Sequence, residues 1–153
     1  MCINGGLGGF IVVSTSNYEL SSETGPAFPI LWSADLVSWN LVRYNLLYKV
    51  KMIQFLRNVT YLLFVWLQKG YVFSQNEWPT WARTDMWAPE IHYVNDGYLV
   101  YFSAKHKQTG YHAIGVAISA NKTNPLGPYY DFGKPLIEDS NGVIDAHWFK
   151  DPK

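Results

Sequence analysis

Charge is scarce in this chain: Asp, Glu, Lys and Arg make up 16% of its 153 residues, twelve acidic against twelve basic, for a formal net charge of zero. No basic run occurs, so nucleic acid and anionic membrane surfaces find no electrostatic footprint. Cys2 is the one cysteine, which excludes an intrachain disulfide, and no Cys/His spacing resembles a zinc site. Residues 1–9 lack the basic start of a secretory signal, and Gly5, Gly6, Gly8 and Gly9 interrupt their apolar stretch. The most hydrophobic window, residues 59–67, falls well short of the roughly 20 apolar residues that cross a bilayer. Sequons stand at Asn58-Val59-Thr60 and Asn121-Lys122-Thr123. They matter only in a secreted chain, and the sequence leaves the compartment open.

What the chain does hold is aromatic residues, 17% of the total. With so little charge, that composition points to a densely packed all-β protein long enough for one domain with a real core. Short strands are expected at residues 10–16, 29–33, 40–42 and 70–73. Between them, Ser33 to Trp39 reads as a turn in which Ser33 or Asp35 caps the backbone while Leu36 and Trp39 point inward. Residues 17–27 form a polar loop. Further on, residues 91–94 and 98–102 flank Asn95-Asp96-Gly97, the chemistry of a hairpin turn. The second of these strands is apolar enough to be buried on both faces. Residues 113–120 make another apolar strand, residues 129–132 an edge strand with its exit at 135–137, and residues 142–149 open one more. Two four-strand groups result, a pattern that suits propeller blades, a jelly roll or a sandwich.

Residues 43–69 break the pattern. They mix basic residues with Leu, Phe, Val and Tyr and contain no Gly or Pro. An amphipathic helix or a membrane-surface segment would each fit their composition, but neither fits the neighbouring strands. Ahead of the hairpin, Pro89 should hold Ala88 extended. Trp87, Ala88 and Glu90 there suit a sugar-binding wall, because aromatic faces stack on sugar C–H surfaces and carboxylates accept hydroxyl hydrogen bonds. A core Trp and a solvated strand-end Glu are the plain alternatives.

Four motifs in register resemble glycoside hydrolase family 43, whose members are five-bladed β-propellers that cleave arabinofuranosides, xylosides and related linkages. They are Ser33-Ala34-Asp35-Leu36-Val37-Ser38-Trp39, Thr84-Asp85-Met86-Trp87-Ala88-Pro89-Glu90-Ile91-His92-Tyr93, Ile114-Gly115-Val116-Ala117-Ile118-Ser119 with Pro125-Leu126-Gly127-Pro128-Tyr129, and Ile144-Asp145-Ala146-His147-Trp148-Phe149. The resemblance implies a partial propeller: blades one and two and the start of blade three of a single catalytic domain. It implies an inverting hydrolase acting on arabinose- or xylose-containing glycans; for this chain no cofactor, metal ligand set, or nucleic-acid or membrane partner is expected. It makes Asp145 the carboxylate that tunes the pKa of the general acid, and Trp87, Ala88 and Glu90 part of the pocket.

The family's general base lies ahead of a strand like 10–16, where residues 1–9 offer no Asp or Glu, and its general acid lies beyond residue 153. Asp85, Glu90, Asp96, Asp139 and Asp151 do not stand at the positions of that base or acid. On this reading the chain alone is inactive. A carbohydrate-binding propeller that has lost its acids is the competing class. His92 and His147 would either face the central channel, where family members can hold water or a metal ion, or be ordinary packed or solvated histidines. His106 and His112 read as loop or strand-end residues. Residues 42–68 are expected to be a translated intron: every Val codon begins GT, Gln68 can be CAG, and residues 61–67 suit a thymine-rich tract. The sequence leaves the sugar, the linkage, exo or endo action and oligomeric state open.

Overall fold

In the computed structural model, residues 2–5, 8–15, 25–42, 44–47, 64–67, 70–74 and 77–152 are described, and all regular structure among them is β. The expected polar loop at 16–24, the sequon at Asn58 and residues 48–63 lie outside those described. Two five-stranded antiparallel sheets account for most of the chain. In the first, β1 (Cys2–Gly5), β2 (Gly9–Val13), β3 (Ala27–Ser33) and β4 (Asn40–Leu41) follow in order. Two further strands, β5 (Tyr44–Leu47) and β6 (Phe64–Leu67), pair with each other as a separate sheet. The first sheet then resumes, because β7 (Tyr71–Phe73) also pairs with β3.

The second sheet is a meander of β8 (Ala82–Val94), β9 (Gly97–His106), β10 (His112–Ser119) and β11 (Tyr129–Asp131), with β12 (Ile137–Glu138) also on β10. The two sheets therefore share a design: three long positions and an outer edge made of two short strands. In the second, residues 132–136 bridge the pieces, and Phe132 N and Leu136 N still donate to Val116 O and Ile114 O. In the first, Val42 N donates to Ile30 O at 2.9 Å while Ile30 N donates to Gly70 O at 2.6 Å. The segment from Val42 to Gly70 thus leaves and rejoins one strand edge at the same residue of β3.

Turn chemistry explains the tight connections. Asn95 and Asp96 have φ of 48° and 61°, and Val94 pairs with Gly97, a two-residue turn whose twist matches that of the strands. Between β3 and β4, both candidate caps are used. Ser33 Oγ accepts from Asp35 N and Leu36 N, and Asp35 Oδ1 accepts from Val37 N, Ser38 N and Ser33 Oγ. Those amides hold the Asp35 carboxyl down at about 2. Gathering them forces Leu36 to a φ of 64°, and its side chain faces solvent rather than inward. Trp39 is half-buried, with Nε1 donating to Leu36 O.

The core lies between the sheets. Phe102 of β9 is fully buried, with ring centres 5.4 Å from Phe28, 5.3 Å from Phe73 and 5.9 Å from Trp81. Gly115 pairs directly with Phe102, and this close approach needs a residue without a Cβ. Strand β9 alternates buried and half-buried residues from Tyr98 to Phe102, so it is not buried equally on both faces. Residues 142–149, expected to open a strand, form none, because few of their backbone groups find a ladder partner. Hydrogen bonds to the second sheet hold the run instead: Val143 N to His112 O, Asp145 N to Ser103 Oγ, and His147 Nδ1 and Trp148 N to the Glu90 carboxylate.

Candidate functional site

The site grows from the irregular half of β8. Its pairing with β9 slips three times, between Ala82 and Thr84, Thr84 and Trp87, and Trp87 and Glu90. Each slip is a bulge-like break that re-aims the following side chains. Asp85 and Ala88 adopt φ of 58° and 44° there. The extended conformation expected of Ala88 ahead of Pro89 is therefore not what forms. Its amide leaves the ladder and donates across the sheet boundary to Thr15 Oγ1 at 3.2 Å.

Trp87 is half-buried and stacks on His112 at 4.6 Å between ring centres, and His112 Nε2 lies 3.1 Å from Asp85 Oδ2. In the register, Trp87 pairs with Ser103 of β9. Ser103 is fully buried, and its Oγ accepts the amide of Asp145 at 3.0 Å. One serine thus ties together the aromatic wall and the exposed Asp145. The backbone of Asp145 has a φ of 60°, a conformation that costs a non-glycine residue about 1–3 kcal/mol and persists only where the surroundings impose it.

Glu90 makes the second junction. Oε1 lies 2.8 Å from His147 Nδ1, and Oε2 accepts from Trp148 N at 3.4 Å. His92 is buried, with Nε2 3.0 Å from Oε2. Burial pushes the Glu90 carboxyl up; the neighbouring His92, His147 and Trp148 amide outweigh it and hold it below its usual range. Chemically, the arrangement offers a fixed carboxylate and two imidazoles beside an exposed aspartate.

The structure thus brings Trp87 and Asp145 to one serine, and Glu90, His92 and His147 to one cluster. Ala88 contributes through its backbone. His106 caps the turn after β9, accepting from Gln108 N at Nδ1. Residues 1 and 6–7, within the stretch where the general base was sought, lie outside those described. Sequence reasoning missed Ser103 and the convergence on Glu90. A lone serine inside the apolar run 98–104 was the available signal for the first. For the second, it was the alternate-residue pair Glu90 and His92, which share a strand face.

An all-β scaffold carrying carboxylates beside an aromatic wall is the kind of site that carbohydrate-active proteins use. The chain belongs to glycosyl hydrolases family 43, whose profile it matches over residues 63–153. It is 34% identical over 88 residues to a probable arabinan endo-1,5-α-L-arabinosidase C of Aspergillus fumigatus, covering 54% of this chain and 27% of that protein. The protein of the same description from Neosartorya fischeri is 32% identical over 88 residues, with the same coverage. The chain therefore spans about a quarter of the length of these curated relatives. Among solved structures, it is similar to the GH43_1 enzyme from Xanthomonas citri complexed with xylotriose, with a TM-score of 0.55 and 20% identity over 85% of this chain and 30% of that one. It is also similar to CoXyl43, a GH43 β-xylosidase/α-arabinofuranosidase from a compost microbial metagenome, in its calcium-free form with xylotriose. There the TM-score is 0.54 and identity 18%, over 89% of this chain and 34% of that one.

Proposed function

We propose that this chain is part of a glycoside hydrolase that cleaves O-glycosidic bonds in arabinose- or xylose-containing glycans with inversion. Its two five-stranded sheets are read as the first two blades of a five-bladed propeller, with the run from residue 142 opening the third. Family membership and relatives described as an arabinanase and a xylosidase/arabinofuranosidase support this. The observation that carries it is Asp145: exposed, in a left-handed backbone, and tied through Ser103 to Trp87.

Inversion needs one protonated and one ionised carboxyl about 6.5–9.5 Å apart across an attacking water. Asp145, as a third carboxylate, would raise the acid's pKa and keep its proton on. Trp87 would stack on a sugar ring, with Glu90 and the backbone of Ala88 lining the pocket. The general base and general acid are assigned to no residue of this chain. The test is the full-length protein with and without Asp145→Asn, assayed on arabino- and xylo-oligosaccharides with the product anomer followed by NMR. Turnover that falls sharply in the variant at unchanged melting temperature supports the assignment. Wild-type turnover in the variant overturns it, and tight binding without any turnover points to a carbohydrate-binding propeller.

The same reading makes residues 42–68 foreign to the domain, a translated intron. Its support is the shared strand edge: Val42 and Gly70 both bond Ile30 of β3, and in the second sheet Phe132 and Leu136 bond neighbouring positions of β10, Val116 and Ile114, across a far shorter bridge. Deleting 42–68 joins Leu41 to Lys69 and leaves β4 and β7 as one nearly continuous edge. Reads of the mature transcript that run through codons 42–68 in most molecules would end the intron idea.

A further inference from the structure

We infer that His112, held by Asp85, is a positioning residue for the sugar wall: its imidazole backs the Trp87 ring and sets the plane on which a pentose ring of the glycan stacks. The inference rests on the sugar-wall reading of Trp87 and adds two residues that act on the sugar only through that ring. The imidazole lies against the indole at 4.6 Å between ring centres, 25° from parallel. Trp87 is half-buried, and among the described residues no second ring stacks on it, which leaves aromatic surface for a ligand. A lone indole on an irregular strand would turn among rotamers that binding must freeze again. A ring stacked behind it removes that cost beforehand.

The imidazole is itself held in place. Nε2 lies 3.1 Å from Asp85 Oδ2, with the two side chains 23% and 22% exposed. A carboxylate only accepts, so Nε2 carries the hydrogen, and the ring cannot flip without losing that bond. The backbone of His112 sits in β10 opposite Lys105 of β9, and its carbonyl accepts the Val143 amide at 3.0 Å. A Cβ at Gly142 would stand 3.3 Å from His112 N, so the start of the run that carries Asp145 is seated on the same residue. His112 thus touches both parts of the candidate site, the aromatic wall by its ring and the Asp145 run by its backbone.

Asp85 and Trp87 belong to β8 and His112 to β10, so the contact bridges β9. A register slip falls between Thr84 and Trp87, and Asp85 holds its φ of 58° inside it, a conformation that persists only where the surroundings impose it. A packed histidine that serves stability alone is the plain alternative. Against it, Asp85, Trp87 and His112 are all half-buried, and none of them belongs to the core cluster that holds Phe28, Phe73, Trp81 and Phe102.

The test measures binding of arabinotriose and xylotriose to the full-length protein by calorimetry, with turnover of the same sugars. His112→Ala should weaken binding about two- to tenfold, the worth of one aromatic pair, and raise KM more than it lowers kcat. His112→Leu fills the space without a flat face and gives the same comparison should the alanine variant not fold. His112→Phe keeps a flat face and should recover most of the lost affinity, and Asp85→Asn should fall between wild type and His112→Ala. The Trp87 indole N–H signal, assigned by its loss in Trp87→Phe, should move in His112→Ala with no sugar present. Because His112 acts through Trp87, the double variant of His112→Ala with Trp87→Ala should bind no worse than Trp87→Ala alone. Unchanged affinity in His112→Ala and His112→Leu, where Trp87→Ala weakens binding, would overturn the inference and leave the sugar wall standing. Losses at the two positions that simply add would overturn it as well. Unchanged affinity in Trp87→Ala would overturn the sugar-wall reading and this inference with it.

Discussion

Gly115→Ala isolates the aromatic core that joins the two sheets. A Cβ at this position would stand 2.4 Å from Phe102 Cζ, 2.7 Å from Phe102 Cε2 and 2.6 Å from Trp81 Cζ2. Ordinary carbon contacts begin near 3.5 Å, so something must move by about an ångström. Neither ring has room to do so. Phe102 is stacked on Trp81 at 13° between planes and wedged against Phe28 and Phe73. The strand cannot yield without breaking the Gly115–Phe102 pair at the centre of the β9–β10 ladder. Overpacking of this kind costs about 1–3 kcal/mol. Phe102→Leu removes the two Phe102 contacts, though not that of Trp81, at its own cost of lost burial. The double variant should therefore lose less than the sum of the two singles, with a coupling of about 1 kcal/mol or more. Urea unfolding followed by tryptophan fluorescence measures all three variants. Strict additivity would refute the assignment of the penalty to Phe102 and leave it with Trp81.

Trp87→Ala in the full-length protein should weaken binding of arabino- or xylo-oligosaccharides by about 1–3 kcal/mol, on the scale of stacking on an aromatic face, as read by calorimetry; intact affinity with lowered stability would make Trp87 a core residue. Asp35 titrates about 2 when folded against a usual 3.8, so its stabilising effect is complete above the unfolded value and vanishes as pH falls through about 2. Asp35→Asn should thus be less stable than wild type at pH 6, with the gap narrowing as pH falls from about 4 through about 2, and a gap that does not narrow in acid would contradict the turn assignment. Deleting residues 42–68 relieves a closure cost of about 3 kcal/mol for a loop of that length, partly offset by loss of the β5–β6 pairing. The deletion should raise the urea midpoint, and a lowered midpoint would mark the segment as a structural part of the domain.

The all-β class, the Asn95-Asp96 turn, the Ser33–Asp35 cap and most strand positions were legible in the sequence, because strand alternation and turn chemistry are local properties of neighbouring residues. The motif around Trp87 and that around Asp145 could likewise be recognised as patterns. Their relation could not. Trp87 and Asp145 meet only through Ser103, which has no distinction in the sequence beyond being polar in an apolar run. Ala88 carries the local signal of an extended residue before proline, and a long-range bond to Thr15 overrides it. Leu36 looks like core by composition, yet the demand of Asp35 for backbone amides turns it to water. His147 and Glu90 are separated by most of the second sheet, and only the return of the chain along β8 puts an imidazole on each side of that carboxylate. Local forces chose the strands; the pairing of distant segments, where desolvation and hydrogen bonding must be satisfied together, decided which residues share a site.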